Sequence, residues 1–218
     1  MTMKNSKGND GTTNTITYLL GKARTAPHLI LPGILAYLNG YWHKLKFRLL
    51  MKDVRIGSGF RVYGKLHVIG PGKVRIGRNC FILGKTLRPV SLVTWRKEAV
   101  ITLGNNVGLN GAVINCYEEI RIDDLCNIAD AYIIDSSAHH ISADRRSLPV
   151  ETVPRAPVHI CRNVWISLNV AVLKGVTIGE NCVVGAFTLV RRDVPPDKVV
   201  TGNPQEIIAD VPPTADSE

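Results

Sequence analysis

Residues 158–190 read VHICRNVWISLNVAVLKGVTIGENCVVGAFTLV, and two apolar series run through them at a spacing of six. Val158, Val164, Val170, Val176, Cys182 and Thr188 form the first. Ile160, Ile166, Val172, Ile178, Val184 and Val190 form the second, two residues later. An α-helix returns its apolar face at spacings of three and four, so this is not a helical period. A β-branched residue every six positions suits a coil with three short sides, each about six residues long, whose series stack from coil to coil. Gly175, Gly179 and Gly185 recur beside the series. A glycine after an inward aliphatic, as in Ile178-Gly179, fits a tight corner with positive φ. An ordinary β-sandwich would alternate over longer strands and need not hold one register so strictly. The stretch predicts a parallel β-helix of hexapeptide repeats.

The same period extends upstream. Ile56, Val62 and Val68 share one register, and Ile76 and Ile82 another. It resumes at Ile101, Val107 and Val113, then at Ile120, Cys126 and Tyr132 beside Ile122, Ile128 and Ile134. Residues 84–99 and 141–157 lose the pattern and read as protruding loops. One prism over residues 54–208 therefore accounts for most of the chain, with an arm and helical segment at 1–53 and a polar tail at 209–218. Residues 1–15 are polar and read as a flexible arm. The stretch 28–51, HLILPGILAYLNGYWHKLKFRLLM, is apolar and then aromatic and basic. It is too short and too interrupted to span a membrane. It reads as one or two helices packed on the prism, with a second reading as a helix lying on an anionic membrane surface.

The 218 residues are 45% hydrophobic and carry a formal charge of +9, which favours folding and an anionic partner. No zinc-finger spacing and no aromatic-basic RNA motif accompanies that charge, so nucleic acid is not the expected partner. No signal peptide is evident. The five cysteines include no CxxC and read as free thiols packed in a reducing compartment, Cys161 and Cys182 among them. The expected location is the cytoplasm, with residues 28–51 offering contact to the inner face of the membrane.

His139 is the candidate base. It follows Ile134-Asp135-Ser136-Ser137-Ala138, where a regular coil gives way to a loop. Functional groups favour loops held on rigid scaffolds, and histidine titrates near neutral pH. Asp135, Asp144 or a backbone carbonyl could set its tautomer. Adjacent His139 and His140 point to opposite faces and no HxxxxH accompanies them, so no metal site is expected. Arg88 and Arg96, in the first loop, are candidates to touch a substrate. Neither a nucleophile elbow nor a phosphate loop is present.

The combination NVWI, GVTIG, VPP and GNP within residues 158–204, with IIDSSAHH upstream, resembles the hexapeptide-repeat O-acetyltransferases. The likeness is to the maltose and galactoside enzymes and to the sugar O-acetyltransferases of surface polysaccharides. It is strong over residues 101–208 and weak over 1–53. The resemblance implies an all-β, left-handed parallel β-helix that assembles as a homotrimer with sites between prisms. It implies acetyl-CoA as donor, a sugar or glycan hydroxyl as acceptor, and direct transfer. In that likeness His139 is the general base and the Leu168 N–H helps hold the oxyanion. Asn110 contacts the acceptor, and Trp165 lines the cleft. Gly185, Ala186 and Thr188 line the pantetheine arm, and Arg191 and Arg192 approach the cofactor phosphates. Ser167-Leu168 and Gln205-Glu206 depart from the usual small residues and Ala-Lys, which bears on the cleft edge and the phosphate contact. The resulting expectation is acetyl transfer to a sugar in surface polysaccharide or lipopolysaccharide synthesis. The alternatives are another small hydroxyl compound or an amino sugar as acceptor, or a non-catalytic scaffold.

Overall fold

The computed structural model describes residues 26–84 and 88–212. The arm at 1–15, residues 85–87 and the last six residues of the tail lie outside it.

After a single 3-10 turn at Pro27–Leu29, one helix, α1 (Ile30–Leu50), runs without a break. Pro32 falls in the first turn, where a missing N–H leaves no helical bond unmade. Gly40 faces the prism, and a Cβ there would lie 2.1 Å from the Phe60 carbonyl oxygen. The two residues that interrupt the apolar pattern therefore serve the start and the packing of one helix. Ala36, Gly40 and Phe47 are its buried positions.

The strands follow in coils of three. They are β1 (Val54–Ile56), β2 (Arg61–Gly64) and β3 (Leu66–Ile69), then β4 (Lys73–Ile76), β5 (Phe81–Gly84) and β6 (Val90–Thr94). The next coils are β7 (Val100–Leu103), β8 (Gly108–Asn110) and β9 (Val113–Cys116), then β10 (Glu119–Ile122), β11 (Asn127–Ala129) and β12 (Tyr132–Ile134). After a long excursion come β13 (Val158–Ile160), β14 (Trp165–Ile166) and β15 (Ala171–Val172), then β16 (Thr177–Ile178), β17 (Val183–Val184) and β18 (Leu189–Val190). A hairpin of β19 (Lys198–Thr201) and β20 (Glu206–Asp210) ends the stack.

Every third strand pairs in parallel, which gives three sheets. Sheet A holds β1, β4, β7, β10, β13 and β16. Sheet B runs from β2 to β17 and then takes the hairpin. Sheet C holds β3 to β18. The result is the left-handed parallel β-helix that the family resemblance implies. Both apolar series point inward: Val158 and Ile160 are fully buried, as are Ile166, Val172, Ile178, Val184 and Val190.

Three local expectations change. Residues 84–99 are not one loop, because β6 lies inside them and pairs with β3 and β9. Val90 and Leu92 keep the inward alternation, and the residues inserted before them shift the register that a six-residue count follows. The positive-φ residue at several corners is asparagine and not glycine: Asn79, Asn106, Asn163, Asn169 and Asn181 have φ between 54° and 59°. Asparagine tolerates the left-handed region well. The glycine two residues earlier serves close stacking instead; a Cβ on Gly77 would lie 2.4 Å from the Gly104 carbonyl oxygen. The hairpin also carries strand structure to Asp210, two residues into the expected tail.

Candidate functional site

His139 stands at the root of the excursion between β12 and β13. Ser136 bridges to Arg155 across that root, and the Ser137 N–H donates to the Pro154 carbonyl at 2.9 Å. Ala138 takes φ 59°, and the His139 N–H donates back to the Ser137 carbonyl at 2.6 Å. This tight turn throws the imidazole outward. The side chain is exposed, and no hydrogen bond to it is found among the described residues. His140 is tied down instead, with Nε2 3.0 Å from Thr152 Oγ1 and 3.1 Å from the Pro149 carbonyl.

His139 lines a cleft of about 480 Å³ together with Trp95, Arg96, Asn115, Tyr117, Tyr132, Ile134, Ala138 and Glu151. The Trp95 and Tyr117 rings stack at 5.7 Å and 16°. Trp95 Nε1 donates to Asn115 Oδ1 at 3.1 Å, which fixes the indole. The cleft thus joins an aromatic wall, a cation, a carboxylate and an imidazole. That mixture suits a ligand with both apolar faces and polar edges.

Asp135, one of the groups that could orient His139, is fully buried and committed elsewhere. Its carboxylate accepts the N–H groups of Tyr117 and Glu118, each at 2.7 Å. It pins the coil that carries Tyr117 to the coil that carries His139. Burial holds its carboxyl above the usual carboxylate range, against the pull of those two N–H groups.

The other site candidates divide between two edges of sheet C. Asn110 ends β8, Leu168 follows β14, and Gly185 and Ala186 follow β17, so all four lie at the edge between sheets B and C. Thr188 lies there too, buried, with its hydroxyl donating to the Gly185 carbonyl at 2.6 Å. No hydrogen bond from the Leu168 N–H is found among the described residues, and its carbonyl accepts the Phe187 N–H at 2.9 Å. Trp165 is exposed on the outer surface of sheet B. Arg191 and Arg192 follow β18 at the edge between sheets C and A, the edge from which the His139 excursion also leaves. Both arginines are exposed.

Arg88 does not line the cleft. It braces the B–C edge, donating to the Gly111 and Asp130 carbonyls at 2.7 and 3.0 Å and pairing with the Asp130 carboxylate at 2.6 Å. Arg96 does line it. Sequence reading placed Trp95 only on a loop, and it assigned no site role to Tyr117, Tyr132, Asn115 or Glu151. Tyr132, counted in the inward series with Ile120 and Cys126, turns outward instead, and Ala131 and Ile133 take the buried positions, because the register slips by one before β12.

Cys80, Cys116, Cys126 and Cys182 are buried, as expected for packing thiols. Burial pushes all four up, Cys126 to about 11, so none is an activated nucleophile. Cys161 differs from the expectation: it sits half-buried at a corner, because it follows the inward Ile160 by one residue.

Residues 157–192 match the bacterial transferase hexapeptide, a family of six repeats. Over that stretch the chain carries the six-residue repeat that builds the coils. A Mycobacterium tuberculosis protein named "Probable acetyltransferase Rv3034c" is 30% identical over 182 residues, covering 79% of this chain and 57% of that one. The chain spans about half the length of the curated relatives it matches. Among solved structures, a variant of AntD, an N-acyltransferase from Bacillus cereus in complex with dTDP and Coenzyme A, superposes with a TM-score of 0.57. It is 18% identical and covers 78% of this chain and 89% of its own. The hexapeptide-repeat acetyltransferase VCA0836 from Vibrio cholerae gives a TM-score of 0.50 at 24% identity, covering 82% of this chain and 92% of its own. These two likenesses show the hexapeptide-repeat fold. No described helix is long and apolar enough to cross a membrane.

Proposed function

We propose that this protein transfers an acetyl group from acetyl-CoA to a sugar hydroxyl. The observation that supports this reading most is His139, presented without a hydrogen-bond partner among the described residues in a cleft walled by Trp95, Tyr117 and Tyr132. Aromatic faces suit the apolar face of a pyranose ring, and the polar rim suits its hydroxyls. His139 takes the proton of the acceptor hydroxyl as that oxygen attacks the thioester carbonyl. The Leu168 N–H is the donor for the oxygen of the tetrahedral intermediate. The thioester is already activated, so a base, an oxyanion donor and alignment suffice. Transfer is direct, since the buried thiols are unsuited to carrying the acyl group.

Arg191 and Arg192 are suited to the cofactor phosphates, with Gly185, Ala186 and Thr188 along the pantetheine arm. Gln205 replaces the expected small residue, and its buried amide holds the main chain of both arginines. That clamp answers the missing lysine by fixing the two cations that remain.

His139 and the Leu168 N–H belong to opposite edges of sheet C. A neighbouring copy must therefore bring the second half-site to the first. A closed ring of heterologous contacts does this three times, which supports the homotrimer.

The exposed side of α1 carries Leu31, Leu35, Leu38, Tyr41, Trp42, Leu45 and Leu49, with Lys44, Lys46 and Arg48 among them. This side is suited to the cytoplasmic face of an anionic membrane, which favours an acceptor of surface-polysaccharide synthesis.

A second reading takes an amino sugar as acceptor. Glu151, in the cleft with His139, supplies a carboxylate that would bind an amine. AntD, crystallised with an amino sugar nucleotide, is a neighbour in fold. Thiol release from acetyl-CoA with a panel of sugars, amino sugars and nucleotide sugars tests both readings. Release with neutral sugars that is lost in His139→Ala supports the first. Release with amino sugars alone favours the second. Absence of CoA binding sinks both.

A further inference from the structure

A mixed cluster of side chains stands outside the cleft, on the A–B edge. The cluster carries an inference that is independent of the acyl-transfer reading.

The first corner residue after each strand of sheet A forms a column along the A–B edge. The register places Gly57, Gly77, Gly104, Asp123, Cys161 and Gly179 one above another. Glycine is required where the coils stack closely, as the 2.4 Å approach at Gly77 shows. Asp123 and Cys161 are the two members with side chains, and they are neighbours. Beside them, His159 of β13 stacks on Arg121 of β10.

His159 Nε2 lies 2.8 Å from Asp123 Oδ2, and Cys161 Sγ lies 3.9 Å from His159 Nδ1. One ligand atom from each of the three residues falls within 4.8 Å of the others. Arg121 Nε donates to Asp123 Oδ1 at 2.7 Å, which orients the carboxylate and leaves Oδ2 turned to the imidazole. The other four cysteines are buried, so Cys161 alone offers its sulfur at the surface.

We infer that Asp123, His159 and Cys161 form a binding site for a divalent transition metal of the zinc class. One sulfur, one imidazole nitrogen and one carboxylate oxygen make a three-residue donor set with a fourth position open to water, which suits zinc. On binding, the metal replaces the thiol proton of Cys161, which passes to solvent, and takes the lone pair of one nitrogen of the neutral His159 imidazole, whose N–H sits on the other nitrogen. The site joins the coil before the His139 excursion to the coil after it. It therefore acts as a clip between those two coils on the A–B edge, whereas the excursion leaves from the C–A edge. No metal motif is legible in the chain, because Asp123 and His159 are 36 residues apart.

Cobalt(II) titrated into the metal-free full-length protein, purified without a histidine tag, tests the site. A thiolate-to-cobalt charge-transfer band that saturates at one equivalent is expected. It is lost in Cys161→Gly, which matches the rest of the column and keeps the fold, and is weakened in His159→Gln. Zinc is expected to raise the Tm of the wild type by several degrees and to leave that of Cys161→Gly unchanged. Absence of the band in the wild type, its survival in Cys161→Gly, or an equal Tm rise in both proteins would overturn the assignment.

Discussion

Gln205 holds Arg192 by its main chain from both sides: Oε1 accepts the Arg192 N–H at 3.0 Å, and Nε2 donates to the Arg192 carbonyl at 3.0 Å. The same Oε1 accepts the Arg191 N–H at 2.7 Å. One buried amide thus satisfies three polar groups where β18 ends. Gln205→Ala leaves them without those partners and is expected to destabilise the fold by about 1–3 kcal/mol. Under the proposed function it also raises KM for acetyl-CoA more than it changes kcat. Denaturant unfolding and steady-state kinetics check the two effects, and an unchanged KM would detach the clamp from cofactor binding.

His139→Ala is expected to lower kcat by about 10²–10⁴-fold, the usual range for a general base. The side chain is exposed and makes no hydrogen bond among the described residues, so Tm should stay near the wild-type value. Activity above a tenth of wild type would remove His139 from the chemistry.

Two inactive variants should repair each other if the site lies between copies. An equal mixture of His139→Ala and Asn110→Ala chains, unfolded and reassembled together, is expected to recover about a quarter of wild-type activity, because heterologous contacts pair half-sites at random. Recovery no greater than the separate variants show would place the whole site within one chain.

The stacked glycine corners can be tested by stability alone. Gly77→Ala puts a Cβ 2.4 Å from the Gly104 carbonyl oxygen and should cost about 1–3 kcal/mol, typical of overpacking. Gly33→Ala, on the first turns of α1 with nothing within 4 Å, should stabilise by roughly 0.5–1 kcal/mol. Thermal melts of the pair measure both signs.

Asp135 gives a pH-dependent expectation. Burial raises its carboxyl in the folded state, so its contribution to stability is full below the unfolded value and is lost as pH rises through the folded one. Asp135→Asn removes this dependence and one acceptor of the Tyr117 and Glu118 N–H groups. The Tm advantage of wild type over the variant should therefore be largest in acid and shrink toward neutral pH. A constant gap would mean that the carboxyl does not titrate differently on folding.

How much of this was legible in one dimension can be followed residue by residue. Val158 and Ile160 announced the prism, because an inward position that recurs at a fixed spacing leaves its mark on the chain itself. His139 was legible from its place where the period stops, and the change from Ile134 to the excursion is a local event. The cleft was not. Trp95, Tyr117 and His139 come from three successive coils, and the spacing between coils varies with each insertion. The split of Asn110 and Leu168 from Arg191 and Arg192 was equally hidden, since it depends on which corner each residue turns.

The sequence by itself determined the repeating coil, most of its inward aliphatics and helical structure within 28–51, and it singled out His139 as the candidate base. Only the tertiary structure decided that Asp135 braces a coil rather than orienting His139, that Arg88 is held by Asp130, and that Asp123 meets His159 and Cys161. The physical reason is the same in each case. Periodic burial is imposed on every coil and so is written along the chain, whereas a contact between coils depends on the summed length of everything that lies between them.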